Sequence, residues 1–210
     1  MYSDEYINLI RACEGADVPE FNRLMEKYNR DLKGRSDIVR NTLNSIRCHS
    51  VQAVELLPLL KKHGAVVGAS SDYDITYILR HSDFYIIDEV LKFKLPLSCI
   101  IEALLRTFEF DRFKHIYEHP QIKNSVYTRH RLLRGHMDHT SEINEHIKIC
   151  KYLINISFIG DEYIRYIIRN LPTCSVWETE KSKQMKSKLV VNVMEELFNS
   201  WNRHLCENTQ

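Results

Sequence analysis

The sequence predicts an all-α protein: a solenoid of stacked antiparallel helical hairpins, closed by a C-terminal capping helix. Three observations carry that prediction. The first is a recurring pattern. Asp17-Val18-x-x-Phe21-x-x-Leu24 returns 33 residues later as Ser50-Val51-x-x-Val54-x-x-Leu57, and 33 later again as Asp83-Phe84-x-x-Ile87-x-x-Val90. Glu109-Phe110-x-x-Phe113-x-x-Ile116 follows after 26 residues, and Glu142-Ile143-x-x-His146-x-x-Ile149 after another 33. Each copy opens on a residue suited to a helix N-cap or first turn, and its apolar positions then fall three apart, as one stripe of a helix does. The second observation is the period itself. A fixed repeat in the thirties marks a stack in which no single unit can bury its own apolar face. The third is that 6 Gly and 5 Pro leave little room for long irregular loops, so the helices must be joined by short turns.

Ahead of each repeated helix lies another apolar-periodic stretch: Tyr6–Cys13, Val39–Cys48, Ile75–His81, Ile100–Thr107 and Arg131–Gly135. The unit is therefore inner helix, tight polar turn, outer helix, connector, with turns such as Glu14-Gly15-Ala16 and His49-Ser50. Tyr85-Ile86-Ile87 is a short apolar run that could suit a strand, but the helical columns passing through it win by period. In the 26-residue step, Leu95-Pro96-Leu97-Ser98 connects its helices directly. Residues 1–157 thus read as an array of about five units, one of them shortened. Residues 158–210 complete the same domain. Asp161–Leu171 reads as a further inner helix with Tyr163, Ile164, Ile167 and Ile168 on a common face. Pro172–Lys188 reads as a polar insertion whose lysines, Lys181 to Lys188, are a solvated loop. Leu189–Trp201 is amphipathic through Val190, Val193, Leu197 and Trp201 and closes the stack, and Arg203–Gln210 is expected to fray.

Composition narrows the function classes. The net charge is +1, so the field that draws proteins to nucleic acid or anionic lipid is missing, and neither is an expected partner. No apolar run approaches the ~18–20 residues that cross a bilayer. The acidic start, Met1-Tyr2-Ser3-Asp4-Glu5, lacks a basic-plus-apolar leader, which predicts a chain that is not secreted but cytoplasmic, with the nucleus open. The six cysteines form no CxxC pair and are expected to be small apolar core residues; Cys13 and Cys48, near the ends of inner helices, suit that role. There is no Gly-x-Ser-x-Gly elbow, phosphate-cradling loop or kinase signature, so neither enzyme activity nor a cofactor is expected.

Leu56-Leu57-x-Leu59-Leu60-x-x-His63-Gly64-Ala65 resembles the end of an ankyrin outer helix with its Gly-Ala exit, and Ala12-Cys13-Glu14-Gly15-Ala16-Asp17-Val18 is similar to that family's inter-helix turn. The resemblance covers roughly residues 4–157. It implies a projecting β-turn finger before each helix pair, and binding of a partner protein without catalysis. The family's Thr-Pro-Leu-His start is absent from every copy, and the short step before Glu109 leaves too little chain for a full finger. Departures this heavy are common in repeat proteins of large DNA viruses and intracellular bacteria, so the resemblance also implies a host-modulating role.

Candidate binding residues follow from register. Arg47, Arg80 and Arg106 each stand three residues before a helix-opening position, which in a stack places them on one line. A ladder of arginines, each a planar fork of donors, would hold an acidic partner segment; alternatively each arginine bonds the C-terminal carbonyls of its own inner helix. Asp72-Tyr73-Asp74-x-x-Tyr77 leads into the third inner helix, where Tyr73 and Tyr77 serve as interface anchors or pack between units. With His81 they complete the expected concave face: Arg47, Tyr73, Tyr77, Arg80, His81 and Arg106. The protein is expected to be a monomer or weak oligomer with no bound metal. The competing readings are a nucleic-acid-binding helical repeat and a small metal-dependent enzyme using His130-x5-His136-x-x-His139-x-x-Glu142-x-x-Glu145-His146. Against the metal, Gly135–His139 reads as a turn, Glu142 as a first-turn carboxylate, and His146 falls in a column filled elsewhere by Phe21, Val54, Ile87 and Phe113.

Overall fold

The computed structural model describes residues 4–28, 32–48, 50–122, 126–137, 142–156, 165, 168–169, 171 and 179–208. Among them are eleven α-helices and no strand, so the chain is all-α. They divide into two compact units, Met1–Ala103 and Leu104–Gln210.

The first unit holds α1 (Asp4–Glu14), α2 (Val18–Tyr28), α3 (Asp37–Arg47), a 3-10 turn (Val51–Glu55) leading into α4 (Leu56–Lys62), a second 3-10 turn (Ala69–Ser71), α5 (Asp72–His81), α6 (Phe84–Leu91) and the start of α7 (Leu97–Leu105). Packing is between neighbours. The inner helices run α1 on α3 and α3 on α5, hairpins form between α1 and α2 and between α5 and α6, and α4 rests on α6. Side chains tie one inner helix to the next: Tyr6 donates its hydroxyl to Asp37, and Ser45 Oγ donates to the Glu14 carbonyl at 2.9 Å.

The repeated columns differ in depth. Phe21, Val54 and Ile87 in the third position of the pattern, and Leu24, Leu57 and Val90 in the fourth, are all buried in this unit. The second position is not a core column. Val51 is 59% exposed and Phe84 45% exposed, because this residue stands in the first turn of its helix, outside the stripe that faces the neighbour. The opening position is a true side-chain cap at Asp17, whose Oδ1 accepts the Glu20 amide at 2.9 Å. Ser50 and Asp83 stand at the N-cap without such a bond.

The connectors between hairpins bond side by side. The Leu32 amide donates to the His63 carbonyl at 2.9 Å, and the Val66 amide to the Arg35 carbonyl at 3.4 Å. Gly64 makes this geometry possible. At φ 80° it takes the left-handed conformation that ends α4, letting the Ala65 amide reach the Leu60 carbonyl at 3.0 Å. Gly68 serves a different need. A Cβ there would lie 2.7 Å from Ser36 Cβ, an atom fixed to the backbone before α3. Gly68→Ala is therefore expected to cost about 1–3 kcal/mol through forced backbone movement. Urea unfolding followed by far-ultraviolet circular dichroism checks this; an unchanged midpoint would show that the two connectors are not in contact.

The second unit contains the end of α7, α8 (Phe110–Tyr117), α9 (Val126–Met137), α10 (Ile143–Asn155) and α11 (Glu180–Asn208). Helix α10 sits at its centre, against α8, α9 and α11. Phe113, Ile116, His146 and Ile149 continue the third and fourth columns, and all are 0% exposed. Glu109 and Glu142 precede α8 and α10 without capping them. Instead the α8 start is served from α10: the Phe110 amide donates to Glu145 Oε2 at 3.0 Å. Lys148 first, then this amide, holds the Glu145 carboxyl below its usual range.

Three expectations for this half of the chain are corrected. The lysine-rich stretch from Glu180 to Lys188 is helical, since lysine is a good helix former and Thr179 Oγ1 accepts the Ser182 amide at 3.2 Å. The same helix continues through Arg203 to Asn208 instead of fraying. Its Leu189, Val193 and Leu197 are buried on α10. Lys188 reaches Asn144 at 2.9 Å and Ser200 reaches Asn155 at 3.1 Å, so α11 runs beside α10 in the same direction. Gly135 and His136 lie inside α9, not in a turn. The expected helix Asp161–Leu171 falls mostly outside the described residues, as do Pro172 to Glu178 of the expected insertion.

The cysteines are mixed. Cys13, Cys99 and Cys150 are buried, and burial chiefly pushes the Cys13 thiol up to about 12. Cys48 is exposed, because it caps α3 beyond its last buried turn, and Cys206 is exposed too; Cys174 lies outside the described residues.

Candidate functional site

Helix α5 buries Ile75, Ile78 and Leu79, which leaves Tyr73, Tyr77 and His81 spaced four apart along another face. Tyr73 is 71% exposed, the most exposed large apolar side chain described. The Tyr77 and His81 rings lie 4.7 Å apart, centroid to centroid. Beside them the last turn of α3 brings Ile46 and Arg47, and the following 3-10 turn brings Val51. The start of α6 adds Tyr85, which is 49% exposed. Arg47, Val51, Tyr77, His81 and Tyr85 line one open cleft of about 260 Å³ in the first unit.

Arg47 is fixed within this cleft. Its Nε donates to Asp74 Oδ1 at 2.6 Å and its Nη2 to Asn44 Oδ1 at 2.6 Å, while the guanidinium carbon lies 5.5 Å from the Tyr73 ring centre. The Asp74 bond, ahead of any other influence, shifts Arg47 still further towards its charged form. Arg47 thus bonds a carboxylate on the next inner helix rather than the carbonyls at the end of its own. This ion pair links α3 to α5 beside the cleft.

Of the six residues expected from the sequence, Arg47, Tyr77 and His81 line the cleft, and Tyr73 stands at its Arg47 edge. Arg80 is half-buried and does not line it. Arg106 is exposed and belongs to the second unit. Val51 and Tyr85 are additions. The sequence carried no signal that set Val51 apart from its column, and for Tyr85 only its place as an aromatic beside the apolar pair Ile86-Ile87. Chemically the cleft offers rigid aromatic walls, a fixed positive charge and a small apolar recess, which suits the docking of one protruding side chain.

The histidine segment resolves differently. His136 and His146 are fully buried, with their Nδ1 atoms 3.0 Å apart, and His136 Nε2 lies 3.0 Å from the Leu104 carbonyl. Phe113 and Phe108 stand edge-on to them at 5.1 and 5.3 Å. Among the described residues no three His, Cys, Asp or Glu side chains form a group that could hold a metal ion. His139 lies outside the described residues, and Glu142, just ahead of α10, takes the left-handed conformation at φ 48°.

Comparison of the chain with protein-family models, with curated proteins and with solved structures returned no match. No helix among the described residues is long and apolar enough to cross a membrane.

Proposed function

We propose that this chain is a non-catalytic recognition module that binds a partner protein through the α3–α5–α6 cleft of an ankyrin-like stack closed by α11. The observation that carries this reading is the convergence of Arg47, Tyr77 and His81 with Val51 and Tyr85 in one cleft, with Tyr73 open to solvent beside it. The ankyrin-like architecture is supported by neighbour-to-neighbour helix packing and by connectors bonded side by side 31 residues apart. It is further supported by the left-handed Gly64 after α4.

Binding by such a surface depends on pre-organisation. Side chains already held by Asp74, Asn44 and ring contacts lose little further freedom when a partner arrives. Tyrosine anchors contribute most because they bury large area at small entropic cost. Replacing Arg47 is a poor test, because it would release Asp74, which is 7% exposed, and so disturb the fold together with the surface. The better variant is Tyr73→Ala/Tyr85→Ala, at two exposed positions. In affinity capture from cell lysate, a protein retained by the wild type is expected to be captured at least about tenfold less by this variant. Unchanged circular dichroism and unfolding midpoint establish that the variant is folded. Equal capture by both forms would remove the cleft from the binding surface. No capture by either would reject a stable partner protein.

A further inference from the structure

A second cleft, of about 360 Å³, opens between α4 and α6 in the first unit. Its apolar wall is made by Leu57, Pro58 and Phe93, and its polar rim by Lys61, Lys62, Lys92 and Glu89. Leu57 is 1% exposed and Phe93 5%, so the apolar surface lies at the bottom while the lysines stand out in water. Lys92 is paired with Glu89. Lys61 and Lys62, in the last turn of α4, form no ion pair with any described residue. Glu89 Oε1 receives Lys92, whereas Glu89 Oε2 is buried and accepts no hydrogen bond from the described residues.

We infer that this cleft is a docking site for an acidic peptide segment carrying one apolar anchor side chain. Two features match that ligand. The recess is the size of a small binding pocket and has an apolar floor, which suits a leucine-like anchor. The rim carries three lysines against one carboxylate, a net positive charge that complements acidic residues flanking the anchor.

A bilayer or a nucleic acid matches less well. A flat anionic membrane would meet Lys61 and Lys62 but could not reach the sunken Leu57 and Phe93. A nucleic acid has no aliphatic group to seat on the apolar floor, and the one aromatic ring of the cleft is buried where a base could not stack on it.

The test uses the full chain and a dye-labelled synthetic peptide with one leucine between two short runs of glutamate. Fluorescence anisotropy is expected to show saturable binding. That binding should weaken at least about tenfold for Lys61→Glu/Lys62→Glu and for a peptide with serine in place of leucine. Lys61→Ala/Lys62→Ala, which keeps helix propensity, should weaken it in the same direction. Tyr73→Ala/Tyr85→Ala should leave it unchanged, which separates this site from the α3–α5–α6 cleft. Absence of saturable binding would overturn the proposal. So would equal affinity for the serine peptide, which would reveal undirected charge attraction, or equal affinity of the lysine variants. Co-sedimentation with phosphatidylserine vesicles that excess peptide does not reverse would assign the lysines to a membrane surface instead.

Discussion

Replacing Phe113 by alanine is expected to lower stability by about 3–5 kcal/mol, the range for truncating a large aromatic in a close-packed core. The ring is completely buried. It lies 5.7 Å from Tyr117 in a stacked arrangement and 5.1 Å from His136 at 87°, edge to face. Truncation therefore removes apolar burial and two ring contacts together, and opens a void beside the histidine pair. Burial also pushes the Tyr117 hydroxyl up to about 12, as expected of a phenol held in apolar surroundings. For a chain of this size the loss corresponds to a melting temperature lower by roughly 10 °C. Phe84→Ala makes the contrast. Phe84 belongs to the second column of the same repeated pattern and is 45% exposed, so its loss should be under about 1 kcal/mol. Thermal and urea unfolding of both variants would decide. Comparable losses at the two positions would mean that the columns do not differ in depth as described.

That contrast shows how much of the fold was legible in the sequence. A stripe of residues three apart names a helix and its general inward face, and the third and fourth columns are buried in every described copy. The stripe does not say where the neighbour ends. Val51 and Phe84 fall on its outer margin, in a first turn that no neighbour covers, and become surface. Helix α11 was underestimated for a related reason. Its first two turns carry Met185 as their one apolar residue, so no periodicity can be read there, and the helix follows from lysine's propensity and the Thr179 cap. Of the cleft, the spacing of Tyr73, Tyr77 and His81 and the register of Arg47 were readable. The Arg47–Asp74 bond was not, because it joins residues 27 apart through the packing angle of α3 on α5. Nor was the pairing of His136 with His146. It needs α9 to continue through Gly135, and glycine before a histidine-rich segment reads locally as a helix end.

Acidification from about pH 7 to about pH 5 is expected to destabilise the chain through His130. Burial first and Arg129 second hold its imidazole below the ordinary histidine value. In the unfolded chain the same ring accepts a proton at about pH 6.5. The unfolded state therefore binds more protons in this window, and stability falls as the pH drops through that value. Glu20 and Glu145, both held below the usual carboxylate range, stay ionised through this window and add little to the fall. His130→Gln should flatten the dependence of urea midpoint on pH, and the His130 ring followed by NMR should titrate below about pH 6.5. An undiminished pH dependence in the variant, or titration of the ring at the ordinary histidine value, would mean that the fold does not resist its protonation.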